Sequence, residues 1–598
     1  MTQHTQVPAQ AGPARTEAQG VPAALPPAPP EASEATRLLC AGGYLDEAYR
    51  DAVIEELYVH EERIVAPSLG FDAARVLAHA LRARRLELGW SALILLFWVL
   101  GFVLSEYLLF VFLMPSVVLF LAAKIRGTQE RPPVWRRVPA WWVRWWGRIL
   151  MIYALLALGR VVTGGSGGES AVSVAGAFLP DALDELLLET GSSGAGEVRP
   201  FHAWAALAAL LLVTVCVAAK RGQFARALAA ELHPGRFPDV AADPAEAAEG
   251  GRFQRLRGRI RTEQHAPLVM YHSAHPFCGA GTPYDSWTLA VELRPEETAD
   301  EQKPLGNRVI LDAIRPLLAD LRVPAPHAGA RVRDRLRQLQ VDECVFLPVA
   351  GLPRRDLAPY GEQDFLVHRA EAVEEGGETR RHFLRIRVGG WEEEVVTTVF
   401  VRVHTQGGML MLEIAPHVLL PVRKDFGNAD RIAHQYRHNS LFGKGVWALA
   451  RTPRSLVDAL ATLGRGLAFS WRILTGGQGA ALPDGPAVSV RELGSDGDAS
   501  LFQEMDVRRY LKSVQDRVAN GVRSALKDAG YRTDEFAQKI VNVSGGGTLI
   551  EHASGAFAVG DHNTITNQAA ATGSPGAQPA SGAPFTKDGG DADGSGHG

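Results

Sequence analysis

In the run HSAHPFC, His272, His275 and Cys278 stand at an H-x2-H-x2-C spacing that offers three ligands of the kinds zinc takes. No fourth ligand stands nearby and Pro276 interrupts the turn, so two loop histidines and a buried cysteine are the competing reading. His434 and His438, four apart in DRIAHQYRH, share one face of a helix, with Asp430 one turn earlier. Gln435 follows the first histidine where the H-E-x-x-H motif has its glutamate base, so the zinc-protease chemistry is missing there. Gly279-Ala280-Gly281 has the composition of a phosphate loop, but TPYDSWTLAVEL after it reads as turn and strand, and a plain turn is expected. Arg252, Arg255, Arg257, Arg259 and Arg261 cluster in GRFQRLRGRIR, a basic face suited to anionic lipid or to balancing the acidic stretch before it. There is no G-x-x-x-x-G-K-[ST] loop, no strand-linked G-x-G-x-x-G, no G-x-S-x-G elbow and no kinase signature. No catalytic residue and no cofactor is therefore assigned.

The elements that would position these residues begin with apolar helices. Leu88–Ala123 is apolar apart from Glu106 and, as one straight helix, would be about 54 Å long at roughly 1.5 Å per residue. A bilayer core is about 30 Å thick, so two spans folded back at Ser105-Glu106-Tyr107 fit better, with Pro115 kinking the second. A third span runs over 145–162, entered through Trp135, Trp141, Trp142, Trp145 and Trp146, and a fourth over 201–219. The first two are expected at 88–104 and 108–123. Basic residues crowd the ends before the first span and between the second and third, whereas Arg199 is alone among acids in 163–200. The positive-inside rule then places both termini in the cytoplasm. Four scattered cysteines, Cys40, Cys216, Cys278 and Cys344, form no disulfide framework.

The expected fold class is a membrane α-helical domain of four transmembrane helices plus a cytosolic α+β domain with a mostly antiparallel sheet, a C-terminal β-arch segment and disordered termini. In order, the sequence predicts a disordered tail (1–37), a helical collar (38–86), the membrane domain (87–222) and an acidic-then-basic linker (223–265). An α+β domain (266–500), an amphipathic helix (501–537), a β-rich motif (538–567) and a second disordered tail (568–598) follow. Strands are read in LVMYHSA, WTLAVEL, ECVFLPVA, HFLRIRVGG, EEVVTTVFVRVHT and GMLMLEIAPHVLLPV, and helices at Asn307–Leu321 and Ala330–Leu339. VWALA and LAFSWRIL form an apolar patch on helices within 430–474, expected to lie on the membrane or on the sheet.

APSLGFDAARVLAHALRAR, PFCGAGTPYDSWTLAVEL, WEEEVVTTVFVRV, LEIAPHVLLPVRKDF and DVRRYLKSVQDRV resemble an uncharacterised family of actinobacterial four-span membrane proteins over most of 43–536. That resemblance implies architecture and transfers no functional residue. Farther on, VNVSGGGTLIEHASGAFAVGDHNTITN alternates short β-prone arms with Gly/Ser and Asp-His-Asn turns, the layout of β-arches that need neighbours to bury their faces. SGAFAVGDHNT within it resembles the RIP homotypic interaction motif and the short bacterial amyloid signalling sequences. Phe557, Val559, Gly560, Asp561 and Asn563 match, and Ala558 stands where that motif usually carries Gln. The resemblance implies Phe557 and Val559 in a dry interface, a turn at Gly560 and stacking of Asn563. The competing reading is that these arms add to the chain's own sheet.

The expectation is thus a non-enzymatic, multi-pass cell-membrane protein that displays a cytosolic sensing or scaffold domain, with homotypic assembly through the C-terminal motif. Its expected partners are the bilayer, further copies of itself and proteins with a similar β-motif; no nucleic acid is expected. The alternatives are a membrane-tethered hydrolase or metalloenzyme, and a small channel or envelope structural protein.

Overall fold

The computed structural model describes residues 29–106, 108–127, 133–162, 200–247, 250–297, 303–329, 332, 334–374, 377, 379–390, 395–476, 481–495 and 497–544. The chain divides into two units, Met1–Ile540 and Val541–Gly598; of the second, only the last helical residues, to Ser544, are described.

Helices α1 (Glu34–Leu45) and α2 (Glu47–Ile54) start at Ser33 and Asp46, whose side chains accept from backbone N–H groups of the first turns. Residues 30–37, expected to be disordered, are ordered: the Ser33 and Thr36 hydroxyls both reach the Pro30 carbonyl, at 3.0 and 2.7 Å, and Arg37 is buried. The 32-residue α3 (Ala73–Leu104) is capped by Asp72 and has two environments along one axis. Up to Ala83 it is buried nearly all round, with Ala73, Ala74, Val76, Leu77, Ala80 and Ala83 in the collar core. Beyond Glu87 it buries Ser91, Ile94, Trp98 and Gly101 and exposes Leu96, Val99, Leu100, Val103 and Leu104.

The helix ends at Leu104, and Glu106 takes a positive φ of 47° at the predicted break. A 3-10 turn, Leu108–Phe112, leads into α4 (Leu113–Arg126). Pro115 therefore lies in the first turn of α4, where a missing N–H leaves no bond unmade, and produces no mid-helix kink. The third segment begins earlier than predicted: α5 (Val134–Val162) takes the tryptophans and Pro139 into one helix. α6 (Pro200–Arg226) continues through a π turn to Glu231. Its Ala203, Ala206 and Ala209 form a small-residue face, and a Cβ on Gly101 would stand 2.6 Å from the Ala209 methyl, so the two backbones approach closely.

Among the described residues two helices are long and apolar enough to cross a membrane, α3 and the run Phe201–Glu231. Four spans were expected; α4, at 14 residues, is about 21 Å long, shorter than a bilayer core of about 30 Å.

The stretch 223–265, expected as a linker, is folded. Phe237 and Ala245 are buried in the collar core, and α7 (Gly251–His265) packs Phe253, Leu256 and Ile260 there. A mixed sheet follows: β1 (Leu268–Tyr271), β2 (Thr282–Pro283), β3 (Trp287–Glu292), β4 (Gln340–Pro348), β5 (Arg381–Gly390), β6 (Val395–Gln406) and β7 (Met409–Leu419). Its order among the described residues is β1-β4-β5-β6-β7-β2, with β3 also on β7. β1 and β4 run parallel and the other pairs are antiparallel.

Register partners share a face, which puts Leu384, Ile386, Val399, Val401, Val403, Leu412 and Ile414 together under α8 (Asn307–Ala319) and α15 (Leu501–Asp528). The other face carries an aromatic cluster of Phe277, Phe346, Phe383 and Phe400, the Phe277 ring lying 4.6 Å from that of His417. The helix expected over Ala330–Leu339 is absent from the described residues there. Asp334 instead accepts from Ala325 N–H at 3.1 Å, fixing a loop after Pro324 and Pro326.

The remaining helices are α9 (Glu362–Glu374), α10 (Lys424–Gly427), α11 (Ala429–His438), α12 (Leu441–Leu449), α13 (Ser455–Thr475), α14 (Val490–Leu493), α15 (Leu501–Asp528) and α16 (Asp534–Ser544). α15 opens with a capping box at Ser500 and Gln503 and buries Val507, Tyr510, Leu511, Val514, Val518, Val522 and Ala525, the stripe its sequence predicts.

Candidate functional site

Two buried charge centres stand out, one in the collar and one under the sheet. Arg75 and His79 are four apart on α3, so both face the loop between α6 and α7. There the Asp243 carboxylate receives the Arg75 guanidinium at 2.7 Å and His79 Nε2 at 3.0 Å on one oxygen, and the Ala245 N–H at 2.9 Å on the other. Arg75 also donates to the Glu31 carbonyl at 2.6 Å and stacks 3.6 Å from the Phe237 ring centroid. Tyr44 closes the chain with its hydroxyl 3.2 Å from His79 Nδ1. Burial pushes Asp243 toward the neutral acid, but His79, the Ala245 N–H and Arg75 together hold its carboxyl well below the usual range.

A second tier of ion pairs lies where α3 changes environment. Glu87 joins Arg50 of α2 at 2.5 Å and Lys220 of α6 at 3.0 Å. Arg82 pairs with Glu231, Arg465 with Glu47, and Arg472 with Glu55. These pairs link α2 and the turn after it, α3, α6 with its continuation and α13 around the place where α3 leaves the collar core.

Under the sheet, Glu343 of β4 points toward α8 and is 5% exposed. Arg308 and Arg315, seven apart on one face of α8, reach it with Arg369 of α9; they are 39%, 44% and 32% exposed. His382 Nε2 completes the ring at 3.3 Å. Glu343 faces three half-exposed guanidinium groups, of which Arg308 also pairs with Asp312 at 3.3 Å, and the remaining positive charge at the solvent edge is suited to drawing in anionic groups. Glu374 holds the start of α8 by accepting from the Asn307 and Arg308 N–H groups, each at 3.1 Å.

Burial, then Arg308, Arg369 and Arg315, lower His382 from 6.5 to about 4, so it is neutral at pH 7 and supplies no proton there. Between those two values an unfolded chain takes up a proton that the folded chain refuses. Stability is therefore expected to fall as pH drops from 7 to 4, with His382 accounting for up to about 3 kcal/mol. Melting of the detergent-solubilised chain across this range should show that slope, flattened in His382→Gln.

The residues singled out by spacing fall elsewhere. His272 lies 3.9 Å from Asp484, and His272 and His275 bridge within their own turn. Cys278 points instead at Glu492, Sγ to Oε2 3.9 Å, and burial with that carboxylate raises its thiol pKa. His434 and His438 stack at 4.0 Å between ring centroids, on one face as predicted. Among the described residues no group of three or more His, Cys, Asp or Glu could hold a metal ion.

The Gly279–Gly281 turn binds a carboxylate of the chain itself: both glycine N–H groups donate to Glu492 Oε1, at 2.9 and 3.0 Å. Gly281 has φ +94° and lies so close to β7 that a Cβ would stand 2.3 Å from the Val418 carbonyl oxygen. Three of the five clustered arginines are held internally, Arg252 by Glu61, Arg257 by Glu246, and Arg261 by Asp72 and Glu246. Arg255 is exposed and Arg259 half-buried. Phe557, Val559, Gly560, Asp561 and Asn563 lie outside the described residues.

Spacing did not find Glu343, His382, Arg75 or Asp243. The signals available were single charges inside apolar runs, Glu343 in ECVFLPVA and the Arg75/His79 pair in ARVLAHAL.

Residues 286–560 match the family model of the AbeC-like domain. That AbeC-like region is a little under half of the 598 residues; it begins at β3 and takes in the whole Glu343 centre together with α12 and α13. It leaves out α1–α7, hence the Arg75 centre and both long apolar helices. No curated protein and no solved structure matches the chain.

Proposed function

We propose that the chain is a multi-pass membrane protein that presents a sensing or scaffold domain to the cytoplasm and passes its state on through the C-terminal β-motif. Four segments cross the bilayer in this reading, with both termini inside. What supports it is the continuity of α3 and α6: each runs without a break from the polar-capped collar core into a bundle that turns apolar side chains outward. An apolar exterior of that extent is unfavourable in water and favourable in lipid. The ion pairs around Glu87 make the junction stiff, and the arginine ring at Glu343 gives the cytosolic domain a place to meet anionic groups.

Output rests on the sequence of residues 541–567, whose first expected β arm, Val541–Val543, is instead the helical end of α16, and on the likeness of SGAFAVGDHNT to homotypic motifs. A peptide of Val541–Asn567 should form thioflavin-positive fibres with a cross-β spacing of about 4.7–4.8 Å. Val559→Asp should abolish them. A wild-type peptide that stays monomeric at high concentration removes the assembly role.

A further inference from the structure

We infer that Leu441–Thr475 is a re-entrant helical hairpin, α12 and α13, that dips into the cytoplasmic half of the bilayer and meets lipid acyl chains along its outer face; this rests on the membrane reading of α3 and α6. Two independent rulers give the depth. Trp447 is sandwiched between Arg221, which marks the cytoplasmic level on α6, and Arg451, whose long side chain reaches back from the turn; each guanidinium is 3.8 Å from its ring centroid. Thr452 then bonds Thr214, seven residues up α6 from Arg221, at 2.8 Å, which places it about 10 Å deeper. Ser455 accepts from Trp98 Nε1 at 3.2 Å, eleven residues up α3 from Glu87 and about 16 Å deeper.

α13 then returns alongside α3. Leu456 and Ala459 join the bundle cluster with Ile94 and Trp98, Gly466 meets Leu88, and Phe469 lies 3.8 Å under the Arg84 guanidinium. Eleven residues of α13 rise about 16 Å while ten of α3 fall about 15 Å, so the two helices run antiparallel at the same pitch. If α3 enters lipid after Glu87, the first half of α13 is in lipid beside it.

The chemistry of the tip fits that depth. The Thr452 and Thr214 hydroxyls, 2.8 Å apart, have the Ala448 and Leu210 carbonyls as further acceptors for their two protons, and the Ser455 hydroxyl donates to the Thr452 carbonyl. A turn inside a bilayer needs such internal satisfaction, because no water replaces a missing bond. Between Ser455 and Gly464 the one acid is Asp458, neutralised by Arg454 at 2.9 Å. Arg465 and Arg472, farther along, pair with Glu47 and Glu55 at the collar. The outer face is apolar on both arms, with Leu441, Phe442, Val446 and Leu449 on α12 and Leu460 and Leu467 on α13 exposed. The AbeC-like region would then carry a membrane contact of its own.

The test is spin labelling of the full chain in liposomes. Cys40, Cys216 and Cys344 are buried, so Cys278→Ala leaves a background for single cysteines at Leu449 and Leu460, with Leu211 on α6 and Leu357 on the cytosolic surface as references. Labels at Leu449 and Leu460 should collide with oxygen several-fold more, relative to a soluble nickel chelate, than the label at Leu357 does. Leu460, about 9 Å deep by the α3 ruler, should fall between Leu357 and Leu211, which is about 15 Å deep by the α6 ruler. Nickel access at Leu449 and Leu460 with Leu211 still protected overturns the hairpin alone. Nickel access at Leu211 overturns the membrane reading and the hairpin with it.

Discussion

Asp243→Ala is expected to destabilise the collar by about 3–5 kcal/mol, because it leaves the Arg75 guanidinium buried with no carboxylate to face. Arg75 keeps its bond to the Glu31 carbonyl and its stacking on Phe237, but neither neutralises the charge. Asp243→Asn retains an acceptor and should lose less. Chemical unfolding of the detergent-solubilised chain reads the difference. If Arg75 and Asp243 act as a unit, the Arg75→Ala, Asp243→Ala double variant should be less destabilised than the two single losses summed. Additive losses would contradict the pairing.

The second large effect is expected at Glu343. Glu343→Ala removes the one acid that Arg308, Arg315, Arg369 and His382 share and opens a void beneath them. A loss of about 2–4 kcal/mol is expected, less than at Asp243 because the three arginines are 32–44% exposed and keep part of their hydration. Glu343→Gln, with the same volume, should recover packing and leave the charge deficit, so the gap between the two variants separates the cavity from the electrostatics. A Glu343→Gln variant as stable as the parent would show that the ring of arginines does not need its acid.

Much of the frame is legible in the sequence because its causes are local. The break at Ser105-Glu106, the buried stripe of α15 and the strands from LVMYHSA to GMLMLEIAPHVLLPV follow from apolar periodicity and β-branched runs. What escaped depends on distant partners. The acidic PDVAADPAEAAEG reads as a solvated linker until Asp243 meets Arg75, 168 positions earlier. Arg252, Arg257 and Arg261 read as a lipid-facing cluster until Glu61, Asp72 and Glu246 are brought to them. The Gly279–Gly281 turn reads correctly as a turn, but its occupant, Glu492, lies more than 200 residues away in sequence. Spacing alone drew attention to His272, His275 and Cys278, whereas the folded chain turns Cys278 toward Glu492 and sets His272 3.9 Å from Asp484.

The central claim is that the apolar stretches of α3 and α6 cross a bilayer with the ends of the chain inside. Intact cells making the full chain, with one added cysteine at Ser166 or at Ser574, test it through a thiol reagent that does not pass membranes. The account predicts labelling at Ser166 before lysis and at Ser574 only afterwards. Labelling at Ser574 in intact cells, or none at Ser166 until the cells are broken, would contradict it.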